Sequence, residues 1–262
     1  MFSIYHFIWL AIAITLIVLL TKYLLITKPE FSKVLSVCCV VCIISELIKM
    51  FSQVELIPSK DGSMYFPYLS VEHLPFHLCS LQIILIFFLK FGREGKVKDA
   101  VMAFMFPTCL IGPMFALAIP TIWDNQDLST FAFLNPLSYQ YFLYHVMLIV
   151  LAIYIGYRNY NKFTIEDYFL SVGMLLSIAI IMIYVNSALA HKEYINGELV
   201  SVEFVTNFFF IFKVPIGIPL TEIWHWYLYV GILITLVFVL LGLAFLPFII
   251  HNKKKETYIK ID

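Results

Sequence analysis

The chain has 262 residues, of which 62% are hydrophobic and only 13% charged, and its mean hydropathy is +0.93. A soluble domain carries roughly a quarter charged residues, so this composition excludes a soluble enzyme and points to a polytopic membrane protein with no room for a large soluble domain. The formal net charge is zero, which gives no reason to expect a polyanionic partner, and no nucleic-acid-binding motif is present.

Apolar runs of about 20 residues predict seven spans. They lie at approximately 3–26, 33–53, 73–91, 99–121, 138–157, 165–190 and 222–250. The fold class is therefore an all-α bundle forming a single integral membrane domain. The first run has no basic residue before Lys22. That polarity is opposite to that of a cleaved signal peptide, so an uncleaved span is expected. Pro29, Pro58, Pro67 and Pro136 fall in the connections, where breakers belong. Gly112-Pro113 predicts a kink in the fourth span. Before the last span, the connection 191–221 contains "LVSVEFVTNFFFIFKVP", which is apolar but short for a span, so an interfacial or re-entrant segment is expected.

Basic residues sort by side. Lys22, Lys28 and Lys33 follow the first span, Lys90, Arg93, Lys96 and Lys98 the third, Arg158 and Lys162 the fifth, and Lys253, Lys254, Lys255 and Lys260 the seventh. The other side holds only Lys49, Lys60, Lys192 and Lys213. The positive-inside rule then places the N-terminus outside and the C-terminus in the cytoplasm. The 122–137 connection, with two aspartates and no basic residue, suits the external side.

Polar groups within spans are expensive and are functional candidates by default. At a rise of ~1.5 Å per residue, Cys79 lies roughly 9 Å below the external end of the third span. His145 lies seven residues into the fifth span, and Glu46 seven residues before the external end of the second. Asn186 is four residues from the external end of the sixth, and Trp224, His225 and Trp226 open the seventh. Gly112 and Pro113 fall at a similar depth. The inner half has almost no polar residues. This layer predicts a polar cavity open to the outer side.

A thiol becomes a nucleophile when a base or cation assists it. His77 is two positions from Cys79, about 200° round a helix, and faces elsewhere. His73 and His77 share a face with Ser80, whereas Cys79 shares one with Pro75 and Gln82. The base for Cys79 is therefore expected from another helix, and His145 is at matching depth. Each residue also has a plainer role: packing for Cys79, interhelical hydrogen bonding for His145, Gln82 and Asn186, a protonated helix contact for Glu46, an aromatic belt for Trp224 and Trp226. His6 and His251 read as terminal interface residues. Cys38, Cys39 and Cys42 read as small apolar helix residues, and the odd total of five cysteines fits no disulfide framework. A histidine pair at i, i+4 without a His-Glu-x-x-His or carboxylate pattern gives no metal site, and no cofactor is expected.

"LPFHLCSLQ", residues 74–82, resembles the Leu-Pro-x-His-x-Cys signature of the YwaF-type bacterial integral membrane family. That family is similar to the eukaryotic transmembrane-protein-164 acyltransferases and, more remotely, to the androgen-induced membrane hydrolases. "IYVNSALAH" and "VTNFFFIFKVP" resemble its Asn-containing segment and bring Asn207 in beside Asn186. "IPLTEIWHWYLYV" resembles its Gly-Pro-Trp-Pro-Trp-Tyr segment, with Thr221-Glu222 and His225 in place of Gly-Pro and the second Pro. The resemblance implies a multi-pass protein of the bacterial cytoplasmic membrane with membrane lipids as partners. It implies an acyltransferase or acyl hydrolase in which Cys79 accepts the acyl chain, His145 is the base and His77 supports them. The alternative is a transporter, receptor or sensor, in which Glu46, His77, His145 and Asn186 bind a ligand or relay protons. Nothing in the sequence speaks to the oligomeric state.

Overall fold

The computed structural model describes residues 3–119, 132–195, 198–214 and 220–259. Seven helices follow in chain order: α1 Ile4–Thr27, α2 Phe31–Gln53, α3 Leu78–Phe91, α4 Lys96–Ala118, α5 Pro136–Arg158, α6 Ile165–Ala188 and α7 Ile223–Ile259. Six are long and apolar enough to cross a membrane, and α3, with 14 residues, is a shorter apolar helix. The chain is thus an all-α polytopic membrane protein.

Helix starts follow local chemistry. The Ser3 side chain accepts from the His6 N–H at the start of α1, and Asn135 accepts from Leu137 ahead of Pro136 at the start of α5. Thr164 and Asp167 form a reciprocal capping box on α6.

Two antiparallel hairpins interrupt the helices. β1 (Glu55–Pro58) pairs with β2 (Tyr65–Tyr68) between α2 and α3, and β3 (His191–Ile195) pairs with β4 (Glu198–Glu203) between α6 and α7. Each hairpin follows an even number of crossings, so both lie on one side, called here the hairpin side. In the β1–β2 turn, hydrogen bonds from Ser59 and Ser63 hold the Asp61 carboxyl down at about 2.

α4 and α5 form the centre. α4 packs against α3, α5, α6 and α7, while α5 also meets α1 and α2. α4 runs through Pro107 and Pro113 as one helix. Pro107 has no N–H, so the carbonyl four residues back, on Ala103, loses its ladder partner. The Ser171 hydroxyl of α6 lies 3.1 Å from that carbonyl, sharing its proton with its own Asp167 carbonyl at 2.7 Å. Ser171→Ala is therefore expected to lower stability by about 1 kcal/mol, measured as a lower midpoint of denaturant unfolding in detergent.

The C-terminal end of α4 is also tied. The Leu117 carbonyl meets His6 Nε2 at 2.9 Å, and the Ala116 carbonyl accepts from the Tyr141 hydroxyl at 2.6 Å. His6 is thus a buried link between α1 and α4, 1% exposed, rather than a terminal interface residue. His251 is half-buried and meets Asn161 at 3.1 Å.

The half of the bundle away from the hairpins is filled by aromatic rings. Phe106 on α4 lies edge-on to Phe245 and Phe248 of α7, with centroids 5.4 and 5.0 Å away, and Phe163 packs on all three. Gly156 of α5 lies against this cluster, where an added Cβ would come within 2.8 Å of the Phe106 ring.

Span boundaries differ from expectation where local structure intervenes. The third span was expected from residue 73, but Val71–His73 form a 3-10 turn and the helix begins at Leu78. The 191–221 connection contains the β3–β4 hairpin and a compact loop. Residues 196–197 and 215–219 of it, and most of the 122–137 connection, lie outside the described residues.

A candidate active site at the first turn of α3

His77 is the N-cap of α3, yet its side chain makes no capping hydrogen bond. Leu81 is the first residue whose N–H turns back, to the His77 carbonyl at 2.9 Å. The N–H groups of Leu78, Cys79 and Ser80 make no hydrogen bond among the described residues, as expected for an uncapped helix start. Cys79 is the second residue of this turn.

The turn lies well inside the bundle even though α3 is short. A Cβ on Gly112 would stand 3.7 Å from Cys79 Sγ and 3.5 Å from Leu78. Gly112 is six residues before the end of α4, ~9 Å deep at the helical rise. The Tyr144 hydroxyl, eight residues into α5, donates to the Cys79 carbonyl at 2.7 Å. The Cys79 turn thus lies level with residues about two turns inside α4 and α5, although the helix starts later than expected.

Gly112 stands beside the thiol. In Gly112→Ala the added Cβ makes only ordinary contacts, 3.7 Å from Sγ and 3.5 Å from Leu78, so folding should survive while Cys79 alkylation by a bulky maleimide slows at unchanged melting temperature.

His145 follows Tyr144 on α5. Its Nδ1 lies 2.6 Å from the Tyr141 carbonyl. A carbonyl only accepts, so Nδ1 carries the proton, and in the neutral ring Nε2 holds the free lone pair. The ring is 6% exposed and sits between Tyr141 and Tyr144, with centroids 4.4 and 5.7 Å away. Cys79 and His145 share a layer through Tyr144 but do not hydrogen-bond to each other in this arrangement. Active-site hydrogen bonds commonly tighten only when substrate is bound.

The other sequence candidates separate into three groups. Gln82 is fully buried and engaged: its amide donates to Thr108 and its oxygen accepts from the Cys109 thiol, both at 3.1 Å. It joins α3 to α4 one turn below Cys79. Glu46 pairs with Lys49 at 3.9 Å and remains partly exposed.

Asn186 and Asn207 build the loop before α7. The Asn186 amide donates to the Phe208 carbonyl, and its oxygen accepts from the Thr206 hydroxyl and the Phe208 N–H. Asn207 accepts from Phe212 and Lys213 N–H and donates to the Lys213 carbonyl. Trp226 Nε1 donates to the Ile211 carbonyl and the Tyr229 hydroxyl to that of Phe210. These bonds hold Phe209 and Phe210 at φ 62° and 55°, a left-handed conformation costing roughly 1–3 kcal/mol per residue. The Phe208 ring packs edge-on against Phe76 and the His77 ring, with centroids 5.5 and 4.9 Å away. The loop therefore walls the segment that enters α3.

Trp224 and His225 stand apart from the cluster. Trp224 is exposed, and His225 accepts from the Glu222 N–H at 3.2 Å, capping its own helix.

Three contributors carried no distinct sequence signal. Tyr141 and Tyr144 lie four and one residues before His145, and those offsets are the signal that could have found them. Phe208 read as part of an apolar run.

The sequence profile of the TMEM164 family matches residues 1–245, which span α1 to α6 and most of α7 and include every site residue described above. The chain belongs to the TMEM164 family. No curated protein and no solved structure matches it. Within the family match, the Cys79 turn, His145 and the Asn186–Asn207 loop form one contiguous region on the hairpin half of the bundle.

Proposed function

We propose that this protein is a membrane-embedded acyltransferase or acyl hydrolase of the YwaF-type bacterial branch, working on phospholipid or lipid-linked acyl chains with Cys79 as the acyl carrier. The observation that carries the reading is a thiol on an uncapped helix start within the bundle, in one layer with a histidine whose Nδ1–H is held by a backbone carbonyl. His145 Nε2 takes the Sγ proton, and the thiolate attacks the ester carbonyl to give a tetrahedral adduct. The N–H groups of the first turn, at the positive end of the helix dipole, face charge developing beside the thiol. The C–O bond to the glycerol oxygen breaks, the leaving oxygen takes the proton back from the imidazolium, and an acyl-thioester and a lysolipid remain. A second hydroxyl, an amine or water then receives the chain by the same steps in reverse.

The excess of basic residues opposite the hairpins supports reading the hairpin side, and with it the site, as the outer-leaflet side of the cytoplasmic membrane. His77 and the Phe208 loop form the wall beside the thiol, and Glu46 its polar margin. The aromatic packing around Phe106 favours an enzyme over a carrier, because transport needs a path through that half.

Cells carrying Cys79→Ala are expected to differ from wild type in the acyl-chain distribution of their phospholipids, read by lipid mass spectrometry. Identical profiles, together with no thiol-dependent acyl labelling of the wild-type protein, would sink the reading.

A further inference from the structure

Cys79 and His145 stand on helices that barely meet. α3 packs against α2 and α4, and α5 against α1, α2 and α4. The first turn of α3 has no side-chain cap, so little within the helix fixes its start. The Tyr144 hydroxyl crosses from α5 to the Cys79 carbonyl at 2.7 Å.

That carbonyl is already the acceptor for the N–H four residues on within α3. The bond is therefore not required to satisfy the carbonyl. Its consequence is geometric: it fastens the backbone of the thiol residue to the residue preceding the histidine. Tyr144 is 4% exposed, so its hydroxyl has no ready alternative in bulk water. The chain between Tyr144 and His145 is one peptide unit within a regular helix, so the fastening is stiff.

We infer that Tyr144 is a positioning residue, setting the distance from the Cys79 thiol to the His145 ring through this hydrogen bond. The inference rests on the reading of Cys79 and His145 as a reactive pair, and it concerns how that pair is held. Removing the hydroxyl leaves both reactive groups and the aromatic packing in place but frees the α3 start to move against α5. Misplacement by about 1 Å is enough to cost a large factor in a reaction between fixed groups.

The test is alkylation of Cys79 by iodoacetamide in the purified full-length protein, followed across pH by peptide mass spectrometry. It compares wild type, His145→Ala, Tyr144→Phe and Tyr154→Phe. Tyr154 donates to the Pro29 carbonyl from the same helix, far from the thiol, and serves as the matched loss of an interhelical hydroxyl. The expected result is that Tyr144→Phe lowers the rate about tenfold and takes on the pH profile of His145→Ala, while Tyr154→Phe keeps the wild-type profile. A wild-type profile in Tyr144→Phe overturns the inference. So does an equal change in Tyr154→Phe, or identical profiles for wild type and His145→Ala. Acyl transfer itself is read separately, as acyl mass on wild-type Cys79. If that mass is absent while the alkylation profiles separate as stated, the acyl-enzyme reading fails and the positioning role stands.

Discussion

His145→Ala is expected to reduce acyl transfer by about 10²–10⁴-fold, the usual contribution of a positioned general base. Cys79 should remain present and open to a small alkylating reagent. The direction follows from the tautomer. With Nδ1–H committed to the Tyr141 carbonyl at 2.6 Å, the nitrogen left to act is Nε2. Replacing the ring by a methyl removes that lone pair, and among the described residues the neighbouring polar groups are occupied elsewhere. His77 packs its ring on Phe208, the Gln82 amide is engaged by Thr108 and Cys109, and Asn186 is engaged by the loop. His145→Gln is expected to be nearly as inactive, because an amide oxygen accepts a hydrogen bond but does not take the proton. Initial rates of acyl transfer per mole of folded protein check both. A His145→Ala protein within twofold of wild type would move the base elsewhere.

The largest structural effect is expected at Gly156. An alanine there brings its methyl to 2.8 Å from the Phe106 ring and 3.2 Å from that of Phe248. Both rings belong to a buried aromatic cluster with Phe163 and Phe245, so neither can rotate away without displacing the next. Overpacking of this kind costs roughly 1–3 kcal/mol. Gly156→Ala should lower the unfolding midpoint in detergent, and Gly156→Leu should largely prevent recovery of folded protein. Phe106→Leu in the Gly156→Ala background should restore part of the loss by giving the methyl room. An unchanged midpoint for Gly156→Ala would mean that α4, α5 and α7 do not meet as closely as described.

How much of this was legible in the sequence depended on the force at work. The seven apolar segments were legible because crossing a bilayer demands about 20 apolar residues whatever the neighbours are. Cys79 and His145 stood out because a polar residue in such a segment is costly, and counting residues from the helix ends placed them at one depth. The start of α3 was not legible. His73, Pro75 and His77 fit an apolar-helix register well enough, and only packing on the Phe208 loop shows that the chain stays irregular until Leu78. The loop itself was hidden for the same reason. Asn186 and Asn207 fold it through six hydrogen bonds to residues up to 22 positions away, and hold two phenylalanines in a conformation that local propensity disfavours. Tyr144 was invisible because a tyrosine in a membrane helix reads as packing, and its role depends on where its hydroxyl ends. His6 misled because nearness to the chain start suggested an interfacial site, whereas the end of α4 required a partner.

Peptide mass spectrometry of the purified protein incubated with phospholipid tests directly whether Cys79 carries the acyl chain. An acyl mass is expected on the peptide containing Cys79, removed by neutral hydroxylamine and absent from Cys79→Ala. Transfer of acyl chains by a protein whose Cys79 never gains that mass, or that gains it on another cysteine instead, would contradict it.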